Sequence, residues 1–176
     1  MVSSAEGTLG WEPATRHTEL LAAPVAGAIG TTPSALVAPI DPTLADTAAF
    51  CEAYDVAMEH SANCVVVAGK RGGELRYAAV LVLASMRADI NGAVRRHLDV
   101  RKISFAPMDQ AVELTTMEYG GITPIGLPAD WPVLVDDAVV AAGRVVIGSG
   151  IRASKVLVDT ADLVALPTAQ VLSLAQ

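Results

Sequence analysis

The strongest constraint on what this chain can fold into lies just before its midpoint. Residues 63–69 (NCVVVAG) and 74–84 (ELRYAAVLVLA) are two β-rich runs separated by Lys70-Arg71-Gly72-Gly73. Such a pair around a glycine turn predicts a β-hairpin. Both runs are almost continuously apolar instead of alternating, so both faces need cover and the hairpin belongs at the centre of its sheet. Helical patterns on either side supply that cover. Upstream, a helix is expected over 18–28, an extended piece over 35–40 stopped by Asp41-Pro42, and a helix over 44–54 capped by Asp41 or Thr43. Downstream, residues 89–98 have helical spacing, with Asp89 first and Arg95, Arg96 and His97 last, the polarity the helix dipole favours. A strand over 102–105 follows, then a helix from Pro107 over 107–117, strands over 132–135, 144–147 and 155–158, and a short helix over 161–166. Interleaved helices and strands with an antiparallel hairpin predict a mixed α/β (α+β) class and exclude a doubly wound nucleotide fold. Residues 1–16 mix Gly, Pro and Ser without a period and read as a flexible arm that Trp11 could pin. Residues 17–176 read as a single domain.

Apolar residues make up 52% of the chain, yet the longest unbroken apolar run in its middle, 77–84, is far below the roughly 20 residues a membrane helix needs. The opening residues, with Ser3, Ser4 and Glu6, lack the basic and apolar order of a secretory signal, so a cytoplasmic location is expected. Cys51 and Cys64 sit in no metal spacing and read as buried free thiols. The net charge of −7 is unevenly spread. Residues 1–69 hold eight acids and one base, whereas 70–155 hold nine acids and eleven bases. The bases gather as Lys70, Arg71 and Arg76, as Arg95, Arg96, Arg101 and Lys102, and as Arg144, Arg152 and Lys155. A local basic face on an acidic protein suits contact with a nucleic-acid end and not an extended grip on duplex DNA.

Chemistry concentrates in residues 117–128, MEYGGITPIGLP. Gly120, Gly121 and Gly126 alternate with Pro124 and Pro128, a combination that fixes an unusual backbone path and lets main-chain atoms approach a ligand. Successive N–H groups in such a loop can hold an anion or polarise a carbonyl oxygen. It is neither a P-loop nor a dinucleotide fingerprint, because no Gly-Lys-Ser/Thr follows and the spacing differs. A rigid structural turn is the other reading of the same residues.

The order of hairpin, helix, lysine-bearing strand, helix, GG-I-x-P-x-G-L, then Pro132 to Asp136 (P-V-x-x-D) and Ile147 to Gly150 (I-G-S-G) resembles the family of YbaK and prolyl-tRNA-synthetase-associated domains over residues 46–174. That resemblance implies a YbaK-like fold with a central mixed, partly barrelled β-sheet flanked by helices. It implies hydrolysis of the ester of mischarged aminoacyl-tRNA, with no cofactor and no metal. The implied partners are the tRNA 3′ end and, transiently, an aminoacyl-tRNA synthetase, with no duplex DNA and no membrane. Carried over residue by residue, Gly120, Gly121 and Pro124 match the loop that closes the pocket. Asp136 matches the aspartate ending the next strand, and Gly148, Ser149 and Gly150 match the small-residue turn of the opposite wall. The catalytic set is then Gly120, Gly121 and Asn63, with Pro124, Asp136, Gly148, Ser149 and Gly150 binding substrate.

One departure stands out. Relatives with deacylase activity usually carry a lysine where this chain has Asn63, and an amide can hydrogen-bond but brings no charge. The alternative reading is therefore a YbaK-like module that binds aminoacyl-tRNA, or an aminoacyl or amino-acid small molecule, without turning it over. Cys64, on the other face of the strand from Asn63, is expected in the core, and His60 in a loop before the strand. His17 and His97 receive no role.

Overall fold

The computed structural model describes residues 4–176, with residues 1–3 of the expected arm lying outside the described residues. The arm from Ser4 onward is packed onto the body. Its strand β1, Glu12–Pro13, pairs antiparallel with β2, Leu36–Pro39. The Trp11 indole N–H donates to the Glu6 carbonyl, and the Trp11 ring joins a cluster built on Phe50, Cys51 and Leu157. The helix expected over 18–28 is divided into a 3-10 turn, Thr18–Leu20, and α1, Ala23–Ala28, which has Pro24 in its first turn. A proline is tolerated there but not farther into a helix, which places the break. Asp41 caps a 3-10 turn through the Thr43 N–H, and α2 follows as Thr47–Tyr54.

The hairpin forms as β3, Ala62–Arg71, and β4, Glu74–Leu83. Its strands continue through Lys70 and Arg71 to a two-residue turn, Gly72-Gly73, with φ of +59° and +82°. Two successive positive φ values match the twist of a tight hairpin and are strained for residues with a Cβ. Next comes a π-helical turn, Ile90–Val94, running into α3, Arg95–His97. The Asp89 carboxylate caps this turn by accepting from the Gly92 and Ala93 N–H groups. Then follow β5, Lys102–Phe105; α4, Met108–Thr115; β6, Val133–Asp136; α5, Asp137–Ala142; β7, Arg144–Gly148; β8, Ser154–Asp159; α6, Thr160–Val164; and β9, Ala169–Leu172.

Two sheets result, one in the order β1-β2-β8-β7 and one in the order β5-β3-β4-β6-β9. The hairpin is central in the second, as its two-sided apolarity requires; Ala78, Ala79, Val80 and Leu81 are fully buried. The expectation of one partly barrelled sheet is corrected: the sheets stay open, and among the described residues a single isolated parallel bridge, Ser61 with Val146, runs between their ladders. Side chains from both sheets, from α1 and from the glycine-rich loop fill the main core, among them Val25, Leu81, Ile125, Val135, Val145 and Val156. The seam at Ser61 puts the first residues of β3 beside the ends of β7 and β8. Among the described residues no helix is long and apolar enough to cross a membrane.

Candidate active site

A cavity of about 400 Å³ opens at this seam, within the size range of small-ligand sites. Its floor exists because β5 stops short. β5 pairs with residues 67–70 of β3 only, so residues 62–66 have no strand on that side. The Val66 carbonyl faces outward and accepts the Ala106 N–H at 2.9 Å. The alternation of an antiparallel ladder turns the main-chain groups of Cys64 the same way, toward the cavity. The other walls come from Ala45, Asp46 and Thr47 at the entry to α2, from Tyr119, Gly120 and Ile122 of the glycine loop, and from Gly148 and Lys155 of the β7/β8 pair. Exposed Phe105, Met108 and Tyr119 form an apolar rim.

Asn63 reaches the cavity and is oriented there. The Thr47 hydroxyl donates to its Oδ1 at 2.6 Å, which leaves the amide N–H groups as donors toward a ligand. Gly120 also lines the cavity, at φ +86°, and an added Cβ would lie 2.2 Å from the Arg152 guanidinium. Arg152 holds the loop: its Nη1 donates to the Tyr119 carbonyl at 3.2 Å, and its main-chain N–H donates to the Glu118 carboxylate at 2.7 Å. Gly148 packs so closely that an added Cβ would sit 2.4 Å from the Gly121 carbonyl oxygen, so the approach of the two motifs at this point requires glycine.

The remaining residues expected at the site have other tasks. Gly121 lies behind the cavity wall, with its N–H donating to the Glu118 carbonyl at 2.9 Å and its carbonyl accepting the Gly150 N–H at 2.7 Å. Its main-chain groups brace the loop and are not turned to a ligand. Pro124, Ser149 and Gly150 are not among the residues lining the cavity. The Ser149 hydroxyl is buried among Ser154, Ile151 and their carbonyls. Asp136 is buried beneath the sheet, where its carboxylate accepts from the N–H groups of Ala138, Leu174 and Ala175. It caps α5 and ties down the C-terminal segment. Cys64 lines the cavity, and burial pushes its thiol up to about 12, so it is no thiolate at neutral pH. The His60 ring sits within 3.2 Å of the Arg144 carbonyl, away from the cavity.

Lys155 lines the cavity too, although sequence reasoning left it in a group of surface bases. It is 8% exposed, its Nζ donates to the Ala45 carbonyl at 3.0 Å, and it stands 5.2 Å from the centre of the Phe50 ring. Burial lowers its pKa to about 8, against the opposing pull of Cys51 and Asp46 and with a further lowering by Arg152. The signal was available. Strand alternation puts Lys155 on the face of Leu157, whose neighbours Val156 and Val158 cover the other face, so a charge there has no solvent side.

The sequence profile of the aminoacyl-tRNA editing domain matches residues 41–166, which include every lining residue of the cavity. Among solved structures, a candidate trans-editing enzyme for prolyl tRNA synthetase superposes with a TM-score of 0.75 at 21% identity, covering 95% of this chain and 99% of that one. A scaffold protein used to present grafted linear epitopes superposes with a TM-score of 0.75 at 22% identity, over 88% of this chain and 97% of that one. No curated protein matches the sequence. With the profile spanning most of its length, this chain belongs to the YbaK-like family of aminoacyl-tRNA editing domains.

Proposed function

We propose that the protein is a trans-editing aminoacyl-tRNA deacylase, which receives the 3′ end of a mischarged tRNA and hydrolyses its ester. The observation that carries this reading is the convergence of Asn63, the Gly120 loop and Gly148 on one cavity of about 400 Å³, all within the matched residues. That volume suits a terminal aminoacyl-nucleoside and excludes a folded RNA. The rim of Phe105, Met108 and Tyr119 offers surfaces on which unpaired bases stack without sequence preference.

In this mechanism Asn63 Nδ2 and the Gly120 loop orient the acyl group as negative charge grows on its carbonyl oxygen. Water adds to the carbonyl carbon, the bond from that carbon to the ribose oxygen breaks, and the departing oxygen takes up the proton that the water loses. The vicinal ribose hydroxyl orients the water, since neither Cys64 nor His60 supplies a base at the cavity. The products are a free amino acid and an uncharged tRNA, and the reaction belongs to the cytoplasm, alongside translation.

The neutral side chain at Asn63 favours a second reading, a module that binds the aminoacyl end without turnover. Incubating the purified protein with a panel of charged tRNAs, beside an Asn63→Lys variant, separates the two. Loss of the aminoacyl group with wild-type protein supports the deacylase, whereas loss with the variant alone supports the binder.

A further inference from the structure

A buried lysine is hard to account for as a piece of the core. Lysine is seldom buried without a charged partner, and its ammonium loses hydration there. Among the described residues no carboxylate pairs with Lys155; the neighbouring Asp46 is bridged to Arg152 at 3.6 Å. A methionine or leucine would fill the same channel beneath Phe50 without that cost, because replacing buried ions by apolar groups is commonly neutral or stabilising. An ammonium carries three donors, and the Ala45 carbonyl takes one. The others are left for whatever occupies the cavity that Lys155 lines.

Its position relative to the other polar groups is equally specific. In the β7/β8 ladder Lys155 is paired with Gly148, the residue in contact with the Gly121 carbonyl. Lys155 is anchored on Ala45 and Asn63 on Thr47, two positions apart at the entry to α2. Side chains from two different strands thus arrive at one corner of the cavity, one neutral and one cationic.

We infer that Lys155, reaching in from β8, is the substrate-binding cation of this pocket and donates to the acyl carbonyl oxygen as it gains charge during hydrolysis. The inference rests on the deacylase reading for its substrate and goes beyond it in naming the residue. Lys155 faces Cys51 and Phe50 of α2, Asp46 before α2, and Arg152 before β8; with these neighbours it is held near pKa 8 and is mostly charged at neutral pH. Raising the pH through that value removes the donor's charge, so the catalysed rate, corrected for spontaneous hydrolysis, falls in mild alkali.

The test compares wild type, Lys155→Met and the double variant Asn63→Lys/Lys155→Met. For Lys155→Met the expected result is a loss of about 100-fold or more in kcat/KM, chiefly in kcat, with no alkaline fall in the residual rate and a melting temperature at or above wild type. In the double variant, the lysine introduced by Asn63→Lys supplies a cation at the same corner and is expected to restore much of the activity. Wild-type kcat/KM and pH profile in Lys155→Met overturn the inference. If wild type hydrolyses no aminoacyl-tRNA, the deacylase reading fails, and Lys155 is judged by binding of an amide-linked aminoacyl-adenosine. Affinity at least tenfold weaker in Lys155→Met supports the assignment, and equal affinity or no binding by either protein overturns it.

Discussion

At the scale of the residue, burial sets the chemistry of Lys155 and Cys64 in opposite senses. For Lys155 the folded-state pKa lies below the ordinary 10.5, at about 8, so the folded protein releases its proton first. Below pH 8 both states are protonated and folding bears the full cost of the buried charge. Between about 8 and 10.5 the unfolded chain binds more protons, so stability rises with pH, by an upper bound of roughly 3 kcal/mol. Denaturant titrations at a series of pH values should show that rise in wild type and lose it in Lys155→Met, which should also be the more stable protein at neutral pH. For Cys64 burial raises the thiol to about 12, so it reacts only through a trace of thiolate. Iodoacetamide at neutral pH should leave hydrolysis intact over the time in which a free thiol is fully modified; rapid inactivation that tracks alkylation of Cys64 would contradict this.

At the scale of the element, Asp136 shows how one carboxylate can decide the fate of a whole segment. It accepts at 3.1 Å from Ala138 at the start of α5, and at 2.7 Å and 3.0 Å from Leu174 and Ala175. Leu174 is itself a core side chain. Asp136→Ala strands three N–H groups, that of Leu174 buried and those of Ala138 and Ala175 partly buried, and should cost about 3 kcal/mol, with faster amide exchange concentrated at the C-terminal segment. Should Asp136→Asn instead raise KM without changing stability, Asp136 would belong with the ligand and not with the scaffold. Its place at the end of a strand was legible in the P-V-x-x-D motif, but its partners lie 38 and 39 residues away and no local pattern names them. The same limit hid α5 and β9, which lacked any sequence assignment. DAVVAA is too short for a helical period to stand out, and β9 is a partly exposed edge with mixed residues. The hairpin was readable because continuous apolarity has a single physical meaning in a strand of that length. At residues 89–98 the Asp89 cap and basic end were readable too, while their π-helical winding was not.

At the scale of the whole molecule, the cavity exists because two open sheets meet at one seam. In the proposed function a tRNA would approach it past bases that the net charge of −7 conceals. Lys70 and Lys102 are cross-strand partners at the far end of β5, about 10 Å along that strand from Phe105 at the rim. Alternation sets Lys70 on the face of Val66, which lines the cavity. Like charges placed opposite each other repel, and a phosphate backbone relieves that repulsion. Lys70→Glu/Lys102→Glu should weaken binding of tRNA and flatten its salt dependence, while hydrolysis of a minimal aminoacyl-adenosine stays close to wild type. Equal loss on both substrates would place these lysines in the fold's support instead.

The segment pattern of bases raised the expectation of a cationic face, and of the glycine motif the structure brings Gly120 and Ile122 to the cavity wall. Neither could show that the pocket's own cation comes from β8, because that depends on the seam between the sheets and is invisible in the spacing of any one segment. The most direct measurement is the rate at which the purified protein removes the amino acid from a panel of correctly and incorrectly charged tRNAs. Acceleration well above spontaneous hydrolysis for at least one mischarged tRNA, with correctly paired ones spared, is the predicted result. No acceleration for any member of the panel would contradict the assignment of this protein as an editing deacylase.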